Sequence, residues 1–141
     1  MSYKFVDMVA ADVAFDVTAS SLEGLFKDAA IALAATQIKN FKSINPKVKK
    51  KIRIKADNIE QLLFKFLEEL VFLKDKDMLI FNKFTKMKID KKNNSLSCYA
   101  YGEKLDTRRH HTLVDVKAVT MHLFEVKKQG KNWKARVVLD V

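Results

Sequence analysis

The chain has 141 residues, 48% of them hydrophobic and 31% charged, with one proline and three glycines. That composition excludes a disordered or collagen-like polymer and suits one domain, residues 1–141, built round one core. The formal net charge of +10, with all but four of its 27 basic residues lysine, points outward to polyanions such as nucleic acid, and no apolar run approaches the ~20 residues needed to span a bilayer.

Short strands are expected at 3–8 and 13–19, flanking an Ala-Ala-Asp stretch. Ser20 with Glu23 reads as a capping box, after which Leu22, Leu25, Phe26, Ala29, Ala30 and Leu33 keep helical spacing, predicting an amphipathic helix over 21–37. From Lys39 to Lys55 eight basic residues occur without an acidic one. A strand at 47–55 places Lys49, Lys51, Arg53 and Lys55 on one face, with Val48, Ile52 and Ile54 on the other. This face is either solvated surface or a contact for RNA or an RNA-bound partner. No aromatic interleaves it within the strand, so base stacking is not expected there.

Asp57 with Glu60 repeats the capping signature before a second helix over 58–74, carried by Leu62, Leu63, Phe66, Leu67, Leu70 and Val71. Beyond it MLIFNKF and TKMKID read as strands, followed by a KKNN turn into SLSCYAYGEKL, a hairpin pattern. Residues 106–116 read as a loop rich in His and Arg, and 117–128 and 132–141 as two strands joined around Gln129-Gly130. Two early helices and a late block of strands predict an α+β fold, with both helices packed on one face of a mostly antiparallel sheet.

Little here supports covalent catalysis. Cys98 alternates with Tyr99 and Tyr101 as a small core residue would, and a single cysteine fits a reducing compartment. The start MSYKFVDMVAADVAF shows no secretory leader, so a cytoplasmic protein is expected. His110 and His111 lack zinc-ligand spacing, and neither a P-loop nor a dinucleotide fingerprint is present. The carboxylates say more. Asp12 sits in an apolar setting, Asp16 in an alternating strand where water can reach it, and Asp140 precedes Val141 with its α-carboxylate. If the first and last strands are neighbours, three carboxylates converge, and their repulsion calls for a hard divalent cation.

ADV at 11–13, SLEGLFKDAAIAL at 21–33, ADNIEQLLFKFLEELVFL at 56–73, YGE at 101–103, KAVT at 117–120 and LDV at 139–141 occur in an order and spacing that together resemble the archease family. That resemblance implies a small activator, not itself a catalyst, of the RtcB-type RNA ligase of tRNA splicing, promoting ligase guanylylation and multiple turnover. It implies a metal site at Asp12, Asp140 and Val141, usually calcium, with Mg²⁺ or Mn²⁺ as alternatives. Asp115, Lys117 and Glu103 become candidates for ligase activation. The partner is then the ligase, with RNA met through it, no membrane, and a monomeric or weakly associating chain. The family's His-Thr-Ala-Asp reads Val9-Ala10-Ala11-Asp12 here, so its histidine and threonine are absent. The alternative reading is a basic RNA-binding or chaperone-like module.

Overall fold

A computed structural model of the chain describes residues 2–6 and 12–141. Its elements run β1 (Ser2–Val6), β2 (Asp12–Ala19), α1 (Leu22–Gln37), β3 (Val48–Lys55), α2 (Ile59–Asp77), β4 (Leu79–Asp90), β5 (Ser95–Lys104), β6 (Ala118–Gln129) and β7 (Asn132–Asp140), with a 3-10 turn at Phe41–Ser43. The first expected strand is found over Ser2–Val6, and its positions 7 and 8 lie outside the described residues.

Both helices form where the apolar spacing places them, but each cap is displaced by one residue. Ser21, extended at φ −137° and ψ 158°, accepts from the Gly24 amide at 3.1 Å. Asn58 accepts from the Gln61 amide at 2.8 Å. Glu23 and Glu60 therefore stand in the first helical turn, where the helix dipole favours a carboxylate. Glu60 also accepts a hydrogen bond from the Val126 amide at 3.4 Å, tying the start of α2 to β6.

The strands divide into two antiparallel sheets, β1-β2-β7-β6 and β3-β5-β4. The α+β expectation holds, with the single sheet resolved into two. α1 packs on β2, β7 and β4, and α2 on β6, β4 and β3, so each helix bridges both sheets. One large cluster results, in which Phe15, Phe26, Phe66, Leu25, Leu67 and Leu139 are fully buried. Phe26 stacks on Phe66 with centroids 6.1 Å apart, and Phe66 meets Phe84 edge-on at 5.9 Å. Cys98 is wholly buried here, and burial pushes its thiol up to about 11, in keeping with a core residue rather than a nucleophile.

MLIFNKF and TKMKID are one strand, β4, interrupted by register shifts at Phe81/Lys83 and Thr85/Lys88. The first irregularity turns the Asn82 amide outward to donate to the carbonyls of Phe41 and Ile44, both at 3.0 Å. The expected loop at 106–116 is stitched down: Ile38 bridges Thr112, the Lys39 amide donates to the His111 carbonyl, and the Leu113 amide donates to the Gln37 carbonyl. Among the described residues, no helix is long and apolar enough to cross a membrane.

Candidate functional site

Asp12 and Asp140 meet across the sheet. The β2–β7 register pairs Asp12 directly with Asp140, Ala14 with Val138 and Asp16 with Arg136. Because side chains alternate between faces, these three rows share the face turned away from Val13, Phe15, Val137 and Leu139. Directly opposed residues hold their Cβ atoms about 5 Å apart, close enough for two carboxylates to repel or to share a ligand.

The neighbouring acid behaves differently. Asp16 is buried, and Arg136 donates to both of its oxygens at 2.8 and 2.9 Å. These hydrogen bonds hold its carboxyl below the usual carboxylate range against the opposing effect of burial. Asp16 is thus a neutralised structural acid rather than the water-facing residue expected. Asp12 and Asp140 have no such partner: among the described residues, neither side chain takes part in a hydrogen bond or ion pair. Val141 follows with its side chain packed against the core.

β6 completes the surroundings. Ala118 pairs with Asp140 on the other side of β7, and the Lys117 amide donates to the Asp140 carbonyl at 2.8 Å. The Lys117 backbone is therefore fixed beside the acidic row. Its side chain lines a cleft of about 470 Å³ with Glu68, Phe72, Asp75 and Val119, between α2 and the start of β6.

Asp115 and Glu103 have other partners. The buried Lys74 of α2 donates to the Asp115 carboxylate at 2.5 Å and to the Val116 carbonyl at 2.8 Å, pinning the segment that enters β6. Glu103 lies in the other sheet, on β5, and its buried carboxylate does not join the acidic row. It accepts from the Asn45 amide at 2.7 Å, from the Arg109 guanidinium and from His110 Nε2 at 3.0 Å. His110 Nδ1 accepts from the Asp106 amide at 2.9 Å, which assigns the ring proton to Nε2 and directs it at Glu103. His110 is fully buried in this cluster while His111 is exposed, so the two histidines do not act as a ligand pair.

Burial works to raise the Glu103 carboxyl, but the Asn45 amide, Arg109 and His110 together outweigh it and hold the group down to about 2. A carboxyl depressed in the folded state stabilises the fold above its unfolded value of 4.5 and loses that contribution as pH falls toward about 2. Glu103→Gln is accordingly expected to lower the urea midpoint at pH 7 by the equivalent of about 3 kcal/mol. The gap between variant and wild type should narrow as the pH is taken from about 5 to about 2.5. An equal gap at both pH values would show that the ion cluster is not its source.

The sequence signals for these arrangements are uneven. The Lys74 clamp could have been suspected from a lysine at an apolar helical position, since Leu67, Leu70, Val71 and Lys74 share one stripe. The Arg109 and His110 partners of Glu103 depend on how a loop folds back, and no spacing announces that.

No group of three or more His, Cys, Asp or Glu side chains converges among the described residues. The acidic row therefore offers two side-chain carboxylates, all-oxygen donors of the kind Ca²⁺ and Mg²⁺ prefer, and a cross-strand repulsion that a cation would relieve. These residues fit a hard divalent metal, provided that further oxygens come from outside the side-chain set.

The chain resembles characterised proteins over nearly its whole length. It is 36% identical over 134 residues to protein archease of Pyrococcus abyssi, covering 93% of each chain. It is 32% identical to protein archease of Methanosarcina barkeri, covering 99% of this chain and 95% of that one. The solution structure of Methanobacterium thermoautotrophicum protein 1598 superposes with a TM-score of 0.84 at 33% identity, covering 99% and 98% of the two chains. A Thermotoga maritima crystal structure described as an archease, possible chaperone, shares the fold with a TM-score of 0.65 at 20% identity, covering 93% and 91%. The family model for the Archease protein family matches residues 3–141, and with these relatives it establishes that this chain belongs to that family.

Proposed function

We propose that this chain activates an RtcB-type RNA ligase in tRNA splicing, acting through a divalent metal held by Asp12, Asp140 and the α-carboxylate of Val141, and that it is not itself the catalyst. The observation that carries the metal site is the direct pairing of Asp12 with Asp140, without an internal cation among the described residues. The ligase itself is what the resemblance implies, and membership of the family supports it.

In this reading the chain contributes position. β7 lies between β2 and β6, so the Asp140 backbone is held on both sides, while β2 brings Asp12 alongside. The bound metal would supply a concentrated positive charge, calcium by family habit and Mg²⁺ or Mn²⁺ by donor chemistry. Lys117, with its amide fixed on the Asp140 carbonyl, presents a mobile ammonium at the mouth of the neighbouring cleft, suited to a phosphate or a partner's carboxylate. Asp115, held by Lys74, keeps the approach to Lys117 in one conformation. Glu103 serves the same end at a distance, by ordering the loop that leads to Asp115.

The test is ligation by the RtcB-type ligase of the same organism with RNA in large excess. The ligase alone should stop after about one round, this chain should give many, and Asp12→Ala should return the reaction to about one. Equal stimulation by both proteins would remove the metal pair from the mechanism, and stimulation by neither would remove the ligase.

A further inference from the structure

The outer face of the smaller sheet combines charge with half-buried aromatic rings. In the β3–β5 register Lys49 lies opposite Tyr101, Lys51 opposite Tyr99, Arg53 opposite Ser97 and Lys55 opposite Ser95. On the other side of β5, Tyr101 pairs with Lys83, Tyr99 with Thr85 and Ser97 with Lys88, and Lys86 stands in the irregularity between them. The core-facing set, Ile52, Cys98, Ala100, Phe84 and Met87, is buried. The opposite face is therefore a row of tyrosines and serines flanked on both edges by cations, with two acids at its ends, Asp90 at one and Glu103, already held by Arg109 and His110, at the other. The aromatics that the basic strand lacks in its own sequence come from its neighbour.

The lysines already lie against the rings. Lys49 and Lys51 place their ammonium groups 4.4 Å from the Tyr99 centroid, and Lys83 lies 5.4 Å from that of Tyr101. This arrangement admits two explanations: a surface satisfied by its own cation–π contacts, or a platform for bases. The balance turns on what the lysines gain on leaving the ring. An exposed cation–π contact shifts an equilibrium by a factor of about 2–5, so the two at Tyr99 together by about 4–25, while stacking a base on the ring is worth a factor of about 5–150. A base can displace the ammonium from the ring, and the displaced lysine stays within reach of the phosphate. A folded protein partner would need complementary acids and gains little from two rings flanked by mobile lysines, so a nucleic acid fits better.

We propose that the outer face of the β3-β5-β4 sheet binds single-stranded RNA, with Tyr99 and Tyr101 stacking bases and Lys49, Lys51, Arg53, Lys83 and Lys88 contacting phosphates. The face runs about 20 Å along β5, the length of a few nucleotides. It is separate from the Asp12–Asp140 row, which lies in the other sheet, and does not depend on the ligase reading.

The test is fluorescence anisotropy of a labelled single-stranded RNA of about 12 nucleotides, and of the same strand in a duplex, titrated with the isolated full chain across a salt series. The single strand should bind more tightly than the duplex, a comparison that needs no variant. Tyr99→Leu should weaken binding about tenfold, while Tyr99→Phe should restore it. Combined Lys49→Gln, Lys51→Gln and Arg53→Gln should reduce the slope of log affinity against log salt by about 2. Asp12→Ala should bind as wild type does. Absence of single-strand binding at low salt overturns the proposal. So does equal affinity for the duplex, or insensitivity to Tyr99→Leu, either of which reduces the face to plain polyelectrolyte attraction. Variants that lose ligase association but keep RNA would make it a protein-docking surface instead, and that too overturns the proposal.

Discussion

Gly102→Ala is expected to destabilise the fold by about 3 kcal/mol, near the upper end for an overpacked interior position. A Cβ at residue 102 would stand 1.8 Å from the Ile80 carbonyl oxygen, 2.7 Å from its carbon and 2.8 Å from the Phe81 Cα. All three are main-chain atoms of β4, so no side-chain rotation relieves the contact. Either β4 or β5 must move, and the hydrogen-bonded register between them resists this. The displacement would also reach Tyr101 and Glu103, the flanking residues, and through Glu103 the Arg109 and His110 contacts. For a chain of this size the midpoint of thermal unfolding should fall by roughly 10 °C. Calorimetry decides the matter: a loss below about 1 kcal/mol would mean the two strands can separate cheaply there. The YGE motif thereby acquires a physical reason, since a side chain at its central residue would collide with the β4 main chain.

Asp12→Asn is expected to have opposite effects with and without metal. In excess chelator the wild-type row sets two carboxylates directly opposite each other, and removing one charge should leave the protein unchanged or more stable by up to about 1 kcal/mol. In calcium at about a hundred times its dissociation constant, the wild type should gain about 2.7 kcal/mol by mass action, a rise of roughly 5–10 °C in unfolding midpoint. Asp12→Asn should gain little of it. A thermal-shift series with chelator, Ca²⁺, Mg²⁺ and Mn²⁺ reads both signs in one experiment and ranks the metals. Equal stabilisation of both proteins would place any bound metal away from this row.

What could be read in advance follows from the range of the interactions involved. Both helices were legible because Leu25, Phe26, Ala29 and Leu33, or Leu62, Phe66 and Leu70, repeat within a few turns. Their caps were legible only to within a residue, since Ser20 and Ser21, or Asp57 and Asn58, compete for the same role, and packing decides which stays extended. The division into two sheets was not legible, because it depends on which distant strands pair. The same blindness hid Tyr99 and Tyr101 from the basic strand: both edges alternate correctly, yet only the register of β3 on β5 brings them together. Asp16 looked exposed because Arg136, its partner, lies far along the chain. Asp12 and Asp140 could be placed together on the resemblance, and the β2–β7 register gives that placement a structural basis.

Nearly all of the described chain lies between Asp12 and Asp140, the two residues that their shared row of β2 and β7 brings together. Closing a loop of that size carries an entropy cost of about 4 kcal/mol, and the intervening helices and strands must be in place before the pairing can repay it. The acidic pair is therefore a long-range feature that local helix and hairpin formation cannot supply on their own. Whatever depends on that pair requires the two ends of the described chain to meet in register, since a slip of β7 by one residue would turn Asp140 to the opposite face from Asp12.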